Sequence, residues 1–349
     1  MSKKFDVVIG NPPYQDEASG DATHSMPIYH HFMDAAYEVG RKAVLITPAR
    51  FLFNAGYTPK SWNERMLSDP HLSVPHYVSN SDKLFPGTNI VGGIAVTYRD
   101  EDRVGVPIDT FTSYPELNSI LQKVASTPSE TLASTISSSR SYRYTDKMHA
   151  DHPGLAATMS AGEHYKVNTR TFEQLSALYS TEAPSDGHSY VRVLGLIGKA
   201  RAARWIRSDY ISGPASFGKY KVVVPASRGH LGNLGDEPAL VIGAPLIAEP
   251  HTATTQTFIT IGSFDGQAEA DACLRYVKSK FARTLLGVLK VTQHNPATVW
   301  KHVPLQDFSS TSDIDWAKPV AAIDKQLYAK YNFDTDEIAF IESRLKALE

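Results

Sequence analysis

The sequence contains one cysteine, Cys273, in a chain of 349 residues. One cysteine cannot form an internal disulfide, and without a cysteine cluster there is no typical structural zinc site. No apolar run approaches the roughly 20 residues that a membrane-spanning helix needs. The short apolar run near the N-terminus is not followed by the small-residue cleavage site of a secretory signal. We therefore expect a cytoplasmic protein that has no membrane partner.

The chain also has no excess of charge of either sign. Its formal net charge is −2, so any binding of nucleic acid must depend on a local basic patch. Hydrophobic residues make up 42% and charged residues 21%, which excludes a disordered chain, a coiled coil and a fibre. A chain of this length predicts two domains.

The first 110 residues alternate between strand-like and helix-like patterns. Apolar runs predict strands and helical spacing predicts helices, in the order strand 5–9, helix 27–39, strand 43–47, helix 61–67, strand 76–79 and strand 94–98. This order predicts an α/β layer with parallel pairing.

The pattern changes after about residue 110. A helix is predicted over 113–124, and the Ser- and Thr-rich segment 126–141 predicts a boundary. Short β-like runs follow up to about residue 260. A long helix is predicted over 269–291 and terminal helices over 317–331 and 335–347. We therefore expect an α/β domain over 1–125 and a mixed α+β domain with C-terminal helices over 126–349.

The most informative motif is Asn11-Pro12-Pro13-Tyr14, which directly follows the first strand. The Asn11 amide oxygen and the Pro12 carbonyl are two acceptors that could hold an amino group, and Tyr14 offers a flat ring for stacking. An amine conjugated with a base is a poor nucleophile, so two acceptors around its N–H bonds would favour attack by its nitrogen. The alternative is a tight turn in which asparagine caps and the two prolines end the strand.

Residues 5–15, FDVVIGNPPYQ, resemble the catalytic motif of amino-group DNA methyltransferases of the N6-adenine kind. The resemblance implies that Asn11, Pro12, Pro13 and Tyr14 are catalytic and that S-adenosylmethionine is the methyl donor. It also implies that the substrate is double-stranded DNA, from which adenine is flipped into the pocket. Methylation of RNA or of protein is a further alternative, since the same acceptors could hold other planar amines.

The resemblance extends along most of the chain. Residues 45–52 resemble the next strand end of these enzymes, and residues 85–96 resemble the hairpin that helps to wall the base pocket. The C-terminal half is similar to the target-recognition end of combined restriction–modification methylases of the type IIG kind, at residues 280–293, 300–308, 314–316 and 337–342. The implied fold is a partial Rossmann-like methyltransferase sheet, its catalytic half, followed by a target-recognition domain. The implied function is site-specific adenine methylation in a restriction–modification or phage-defence system.

The sequence departs from that family at the cofactor site, where a strand and a Gly-rich turn are expected. Two weaker candidates are residues 193–198, which precede a predicted basic helix, and residues 229–235. Without a cofactor half, the strand over 5–9 is expected to be an exposed sheet edge. A second chain that carries the cofactor half, the middle domain or a homodimer would cover it. The alternative function is therefore an inactive or split-enzyme DNA-recognition subunit that needs a partner to bind S-adenosylmethionine.

The middle region is locally basic and contains interleaved aromatic residues. Its predicted DNA-binding residues are Arg192, Lys199, Arg201, Arg204, Arg207, Lys219 and Arg228. Lys199, Arg201 and Arg204 are expected on one face of a helix, where they could contact the DNA backbone. The alternative is an ordinary solvated face.

Other candidate residues have simpler interpretations. The histidines His24, His30 and His31 lack the spacing and companions of a metal site, so we interpret them as surface or helix-face residues. Asp6 and the pair Asp16-Glu17 could suggest a metal-dependent nuclease, but the chain offers no separate domain for one. Cys273 is predicted to be a small buried hydrophobic residue.

Overall fold

The computed structural model describes residues 4–16, 26–227, 234–235, 237–290 and 292–348. The chain forms two compact units, Met1–Ser126 (unit 1) and Thr127–Glu349 (unit 2). In the part of the chain that the structure describes, every helix is too short or too polar to cross a membrane.

The described residues of unit 1 form one four-stranded sheet and three α-helices. In chain order the elements are β1 (Phe5–Gly10), α1 (Tyr29–Val39), β2 (Gly40–Pro48), α2 (Lys60–Leu67), β3 (Leu72–Val78), β4 (Ile94–Asp100) and α3 (Pro115–Ala125). Each predicted helix and strand of this region is present, with ends that differ by a few residues. Pro48 ends β2, as expected for a residue that cannot donate to a strand ladder.

The strand order in this sheet is β1-β2-β4-β3. Strand β1 pairs parallel with β2, but β4 pairs antiparallel with both β2 and β3. The prediction of parallel pairing is therefore correct for β1 and β2 and wrong for β4. The segment between β3 and β4 turns the chain back at Gly93, whose φ is +79°, and β4 inserts between β2 and β3. Strands β1, β2 and β3 consequently run in the same direction.

One face of the sheet is covered by α1. Tyr29, Met33, Ala36 and Tyr37 of this helix are buried at a spacing of three to four residues, and they join Leu45 of β2 in one core. The amphipathic spacing read from the sequence therefore packs as expected.

Strand β1 forms an edge of the sheet and is open to solvent. Only its β2 side is paired among the described residues. Phe5, Val7 and Ile9 alternate onto the same face and are 56, 48 and 78% exposed. Val8, on the other face, packs against the core. The exposed edge predicted for this strand is present.

Unit 2 is built from short strands followed by helices. Its strands are β5 (Ile136–Ser137), β6 (Arg143–Tyr144), β7 (Tyr190–Ile197), β8 (Ala200–Arg207), β9 (Ile211–Ser212), β10 (Tyr220–Pro225), β11 (Leu246–Ala248), β12 (Thr252–Thr254) and β13 (Phe258–Phe264). Its helices are α4 (Asp146–Asp151), α5 (Thr171–Gln174), α6 (Gln267–Lys278), α7 (Lys280–Leu289), α8 (Val320–Lys330) and α9 (Thr335–Arg344). The sheets have the orders β11-β10-β13-β5, β12-β7-β8 and β6-β9.

The basic helix predicted after residue 198 is wrong. Residues 200–207 form strand β8, which pairs antiparallel with β7 from Tyr190↔Arg207 to Ile197↔Ala200. The two-residue connection contains Gly198 at φ +60°, a conformation that suits a tight hairpin turn. Alanine and arginine favour helices intrinsically, but the pairing with β7 overrides that preference.

The prediction of one long helix over 269–291 is also wrong, because this segment forms two helices, α6 and α7. Ser279 adopts an extended conformation, ψ 148°, and its hydroxyl accepts a hydrogen bond from the Ala282 backbone N–H at 3.0 Å. Ser279 therefore ends α6 and caps α7. The two predicted terminal helices are confirmed as α8 and α9. Cys273 is buried in α6, as predicted.

Candidate active site

The motif predicted to be catalytic leaves the carboxyl end of β1 and runs along the surface. Asn11 and Pro13 are exposed, whereas Pro12 and Tyr14 are half-buried. The backbone carbonyl of Tyr14 accepts a hydrogen bond from the Ile28 N–H at 3.1 Å, which fixes the segment next to α1. The motif is thus joined to β1 at its N-terminal end and hydrogen-bonded at its C-terminal end to the residue that precedes α1.

Tyr14 lines a cleft of about 370 Å³, within the range of roughly 300–1,000 Å³ typical of small-ligand pockets. The cleft is lined by Tyr14, Gln15, Pro27, Tyr29, Pro48, Arg50, Gly56, Tyr57, Asn89 and Ile90. These residues come from the motif, from the start of α1, from the end of β2 and the segment after it, and from the loop before β4. The structure therefore brings together the three regions 5–15, 45–52 and 85–96 that the sequence singled out.

Three tyrosines give the cleft its aromatic character. The Tyr14 hydroxyl is buried beside the Asn11 side chain, without a hydrogen bond of good geometry to a described residue. Burial raises the pKa of Tyr14, and the neighbouring Asn11 amide opposes that shift. Burial also raises the pKa of Tyr29 to about 12, so both phenols are neutral at physiological pH. Neutral aromatic walls suit a flat, uncharged ring such as a base.

Arg50 is the one charged residue among those described that line this cleft. It lies in the short 3₁₀ helix Ala49–Phe53 that follows β2. Its Nε donates a hydrogen bond to the Val91 carbonyl oxygen at 2.6 Å. The side chain thereby joins the segment after β2 to the loop before β4, and two walls of the cleft are fixed to each other.

Sequence reasoning did not single out Tyr29, Tyr57, Arg50 or Asn89 as site residues. Tyr29 belongs to the buried stripe of α1, and its spacing predicts only a core position. Asn89 and Arg50 lay inside segments already noted for their resemblance. Only the sheet order, which places the end of β2 between β1 and β4, shows that these residues share one cleft.

The histidines of α1 take no part in the cleft. His30 is buried, and its ring lies 3.9 Å from that of His31 and 5.5 Å from that of Trp62. Within the described ranges, no group of three or more His, Cys, Asp or Glu side chains could hold a metal ion. Asp6 and Asp16 are exposed, while His24 and Glu17 lie outside the described residues.

The predicted DNA-binding residues of unit 2 lie mostly on the β7–β8 hairpin. Strand alternation places Arg192, Arg201 and Arg207 on one face and Arg204 on the other, so the predicted single helical face is wrong. Lys199 is exposed in the hairpin turn. Arg228 lies outside the described residues.

Most of these cations have partners within unit 2. Arg192 pairs with Glu249 at 3.4 Å, Lys219 pairs with Asp265, and Arg201 donates to the Ala244 carbonyl. Arg207 pairs with Asp209 at 2.6 Å and with Asp151 at 3.6 Å. Exposed ion pairs contribute only about 0–1 kcal/mol, so Arg192 and Lys219 could exchange a carboxylate for a phosphate at low cost.

Neither candidate cofactor loop gains support from the described structure. Residues 193–198 form the end of β7 and enter the hairpin turn, whereas a cofactor loop joins a strand to a helix. In the other candidate, residues 229–235, only 234 and 235 lie in the described ranges. In unit 1, β1 ends at Gly10 and leads into Asn11-Pro12-Pro13, and β2 ends at Pro48, so neither strand leads into a glycine-rich turn.

Comparison with known proteins supports the resemblance drawn from the motif. Residues 1–85 match the family model described as Eco57I restriction-modification methylase. This segment contains β1, the Asn11–Tyr14 motif and the segment after β2. The resemblance to restriction–modification methylases is therefore confirmed, and the match locates it at the N-terminal part of the chain.

Comparisons with solved structures and with curated sequences add less support for this resemblance. The type IIG restriction endonuclease BpuSI matches with a TM-score of 0.33 and 10% sequence identity, over 97% of this chain and 52% of that protein. The chain thus spans about half the length of that enzyme, and at this TM-score the likeness supports no argument about mechanism. No curated protein matches the sequence significantly.

Proposed function

We propose that this chain carries the base-binding and DNA-recognition parts of a site-specific DNA adenine N6 methyltransferase of a restriction–modification or phage-defence system. The observation that supports this most directly is the position of the motif. Asn11-Pro12-Pro13-Tyr14 leaves the carboxyl end of β1 and delivers Tyr14 to an aromatic cleft of about 370 Å³. In open α/β sheets, ligands bind at that end of the strands.

The proposed chemistry follows from the acceptors of the motif. The Asn11 side-chain oxygen and the Pro12 carbonyl oxygen would each accept a hydrogen bond from one N–H group of the adenine amine. These two bonds would orient the amine nitrogen. Tyr14 would stack on the base. Such contacts require the adenine to leave the duplex stack and enter the cleft, which costs a few kcal/mol of unstacking.

The sheet of unit 1 is consistent with half of a Rossmann-like methyltransferase sheet. Strands β1, β2 and β3 run in one direction and β4 runs against them. Such sheets continue on the far side of the motif strand. In this unit that side is the open edge of β1, where Phe5, Val7 and Ile9 are exposed.

S-adenosylmethionine is the methyl donor that membership of a restriction–modification methylase family implies. The described residues of unit 1 do not build its site, because β1 leads into Asn11-Pro12-Pro13 and β2 ends at Pro48, and neither leads into a glycine-rich turn. We therefore assign the donor site to a cofactor-binding unit that pairs with the open edge of β1. That unit could belong to the same or to another polypeptide, and a second copy of this chain is the remaining candidate for the edge.

The alternative function is a DNA-recognition subunit that has no activity of its own. The same open edge favours it, because a chain that needs a partner to bind the donor is inactive when alone. In both functions the hairpin cations of unit 2 would contact phosphates, and the protein would act in the cytoplasm.

A calorimetric titration with S-adenosylmethionine, with and without mixed-sequence duplex DNA, separates these functions. We expect DNA binding in either case. Donor binding with formation of N6-methyladenine, measured by mass spectrometry, supports the complete enzyme; DNA binding without the donor supports the split enzyme. A chain that binds no DNA, or methylates only RNA or protein, contradicts both.

Substitution of Asn11 tests the chemistry in whichever assembly is active. Asn11→Ala removes an acceptor and is expected to lower the turnover rate by roughly 10²–10³-fold, the usual cost of losing one such contact. Asn11→Asp keeps an acceptor oxygen and should retain more activity. Because Asn11 is exposed, neither variant should change the thermal midpoint. Equal activity of wild type and Asn11→Ala would contradict the proposed role.

A further inference from the structure

The side chain of Arg50 is held in one position by two glycines. A Cβ atom at Gly56 would lie 3.2 Å from Arg50 Cβ, and one at Gly92 would lie 2.9 Å from Arg50 Cγ. Both glycines have φ near +90°. The aliphatic stem of Arg50 therefore runs between two backbone segments so close that a Cβ atom at either glycine would require the stem to shift.

The outer end of the same side chain is available. Nε donates to the Val91 carbonyl, but Nη1 and Nη2 make no hydrogen bond or ion pair with a described residue. No acidic side chain lines the cleft in the described ranges. The aliphatic part of the side chain is fixed, and the two NH₂ groups are available. The guanidinium is therefore preorganised to bind an anion, because little rotamer entropy remains to be lost on binding.

We propose that Arg50 binds a phosphate group of the nucleic-acid strand beside the base that enters the cleft. This inference rests on the proposed function, since it takes a nucleotide as the occupant. The two free NH₂ groups, Nη1 and Nη2, form a planar fork that matches two phosphate oxygens. The tyrosines and the amides of Gln15 and Asn89 are uncharged, so Arg50 is the group of the cleft that would recognise the charged part of a nucleotide.

The role assigned to Arg50 is positioning. A phosphate held at the rim would fix the sugar and limit how the base can enter, without carrying sequence information. The contact would therefore be the same at every target sequence. It can be measured with mononucleotides, which need neither a known DNA target nor a methyl donor.

The test compares 2′-deoxyadenosine with its 5′- and 3′-monophosphates in ligand-observed NMR titrations of the full chain. For wild type we expect at least one monophosphate to bind about tenfold more tightly than the nucleoside, as one charge-assisted contact would give. Arg50→Met keeps most of the stem between Gly56 and Gly92 but removes the charge. Because Arg50→Met also loses the Nε contact with Val91, its own affinity for the nucleoside serves as the reference, and the ratio of monophosphate to nucleoside affinity should fall to about one.

Arg41→Met is the matched control, because Arg41 lies in the same unit but pairs with Asp102 at 2.9 Å and is absent from the cleft lining. It should keep the preference for the monophosphate. If wild type binds nucleoside and monophosphates equally, or if Arg50→Met keeps the preference, the inference about Arg50 is wrong while the base pocket stands. If wild type binds none of these ligands, the base pocket and the inference both fail.

Discussion

The backbone of Gly92 lies directly against the side chain of Arg50, so that a Cβ atom at position 92 would lie 2.9 Å from Arg50 Cγ. Position 92 belongs to the loop before β4, and Arg50 belongs to the turn after β2. The close approach allows Arg50 Nε to reach the Val91 carbonyl at 2.6 Å. Two walls of the cleft are thus joined through a contact that only glycine permits.

Gly92→Ala is therefore expected to disturb both stability and ligand binding. The positive φ alone costs about 1–2 kcal/mol, and the clash with Arg50 adds a further overpacking cost of roughly 1–3 kcal/mol. Gly87→Ala is the matched control, because Gly87 also has a positive φ (+81°) but a Cβ there would contact nothing within 4 Å. Urea unfolding measures both variants. If Gly92→Ala and Gly87→Ala lose the same unfolding free energy, the predicted clash with Arg50 adds nothing to the cost of the Gly92 substitution.

The Tyr14 ring and its hydroxyl are expected to contribute differently. The hydroxyl is buried without a hydrogen bond of good geometry to a described residue, so Tyr14→Phe should leave stability unchanged or raise it slightly. Tyr14→Ala removes the stacking surface, which is worth about 1–3 kcal/mol per base. Titration with 2′-deoxyadenosine should therefore show near-normal affinity for Tyr14→Phe and at least a fivefold loss for Tyr14→Ala. A large loss in Tyr14→Phe would mean that the hydroxyl contacts the ligand.

The open edge of β1 predicts self-association when the chain is purified alone. Ile9 is 78% exposed beside unpaired backbone groups, and an apolar edge of this kind tends to pair with another strand. Ile9→Lys should make the chain monomeric in sedimentation velocity at concentrations where wild type associates. Its unfolding free energy should change by less than about 0.5 kcal/mol.

Val104→Lys is the control for that experiment. Val104 is also in unit 1 and 76% exposed, but it lies outside the strand. Its substitution should leave association unchanged. A wild-type chain that stays monomeric at every concentration, or a Val104→Lys variant that dissociates as completely as Ile9→Lys, would contradict the role of the edge.

Asp324 predicts a pH dependence of stability. Its carboxylate accepts hydrogen bonds from the backbone N–H groups of Lys280 and Phe281, at 3.1 and 2.9 Å, at the start of α7. Burial nevertheless raises the pKa of Asp324 to about 6. The folded state therefore binds a proton more tightly than the unfolded chain, whose aspartate pKa is about 3.9. The contribution of Asp324 to the free energy of unfolding is therefore present in full below about pH 4. It is lost as the pH rises from about 4 through about 6.

The difference in unfolding free energy between wild type and Asp324→Asn should follow this curve. Relative to the variant, the unfolding free energy of wild type should fall by on the order of 3 kcal/mol between pH 4 and pH 7. Asp336→Asn, an exposed position on the first turn of α9, is the control for the substitution itself. A constant difference across this pH range would show that Asp324 titrates normally.

The sequence predicted elements well where one segment's own spacing decides the structure. Strand β1, helix α1 and the two terminal helices follow from local apolar periodicity and from prolines that stop a strand. The hairpin of β7 and β8 did not follow, since the helix preference of residues 199–207 is outweighed by backbone pairing with β7. The break at Ser279 was hidden because apolar spacing continues across it. Asp324, from a distant helix, joins the Ser279 cap by accepting hydrogen bonds from the first two backbone N–H groups of α7.

The sequence by itself determined which functional groups follow β1. Asn11, Pro12 and Tyr14 are consecutive, so their acceptors and ring are fixed by the covalent chain. Tertiary structure alone decided what surrounds them. Sheet order places Arg50 and Asn89 beside Tyr14, and ion pairs assign Arg207 and Lys219 to carboxylates. The physical reason is that a motif depends on neighbours along the chain, whereas a cleft or an ion pair depends on distances that only folding sets.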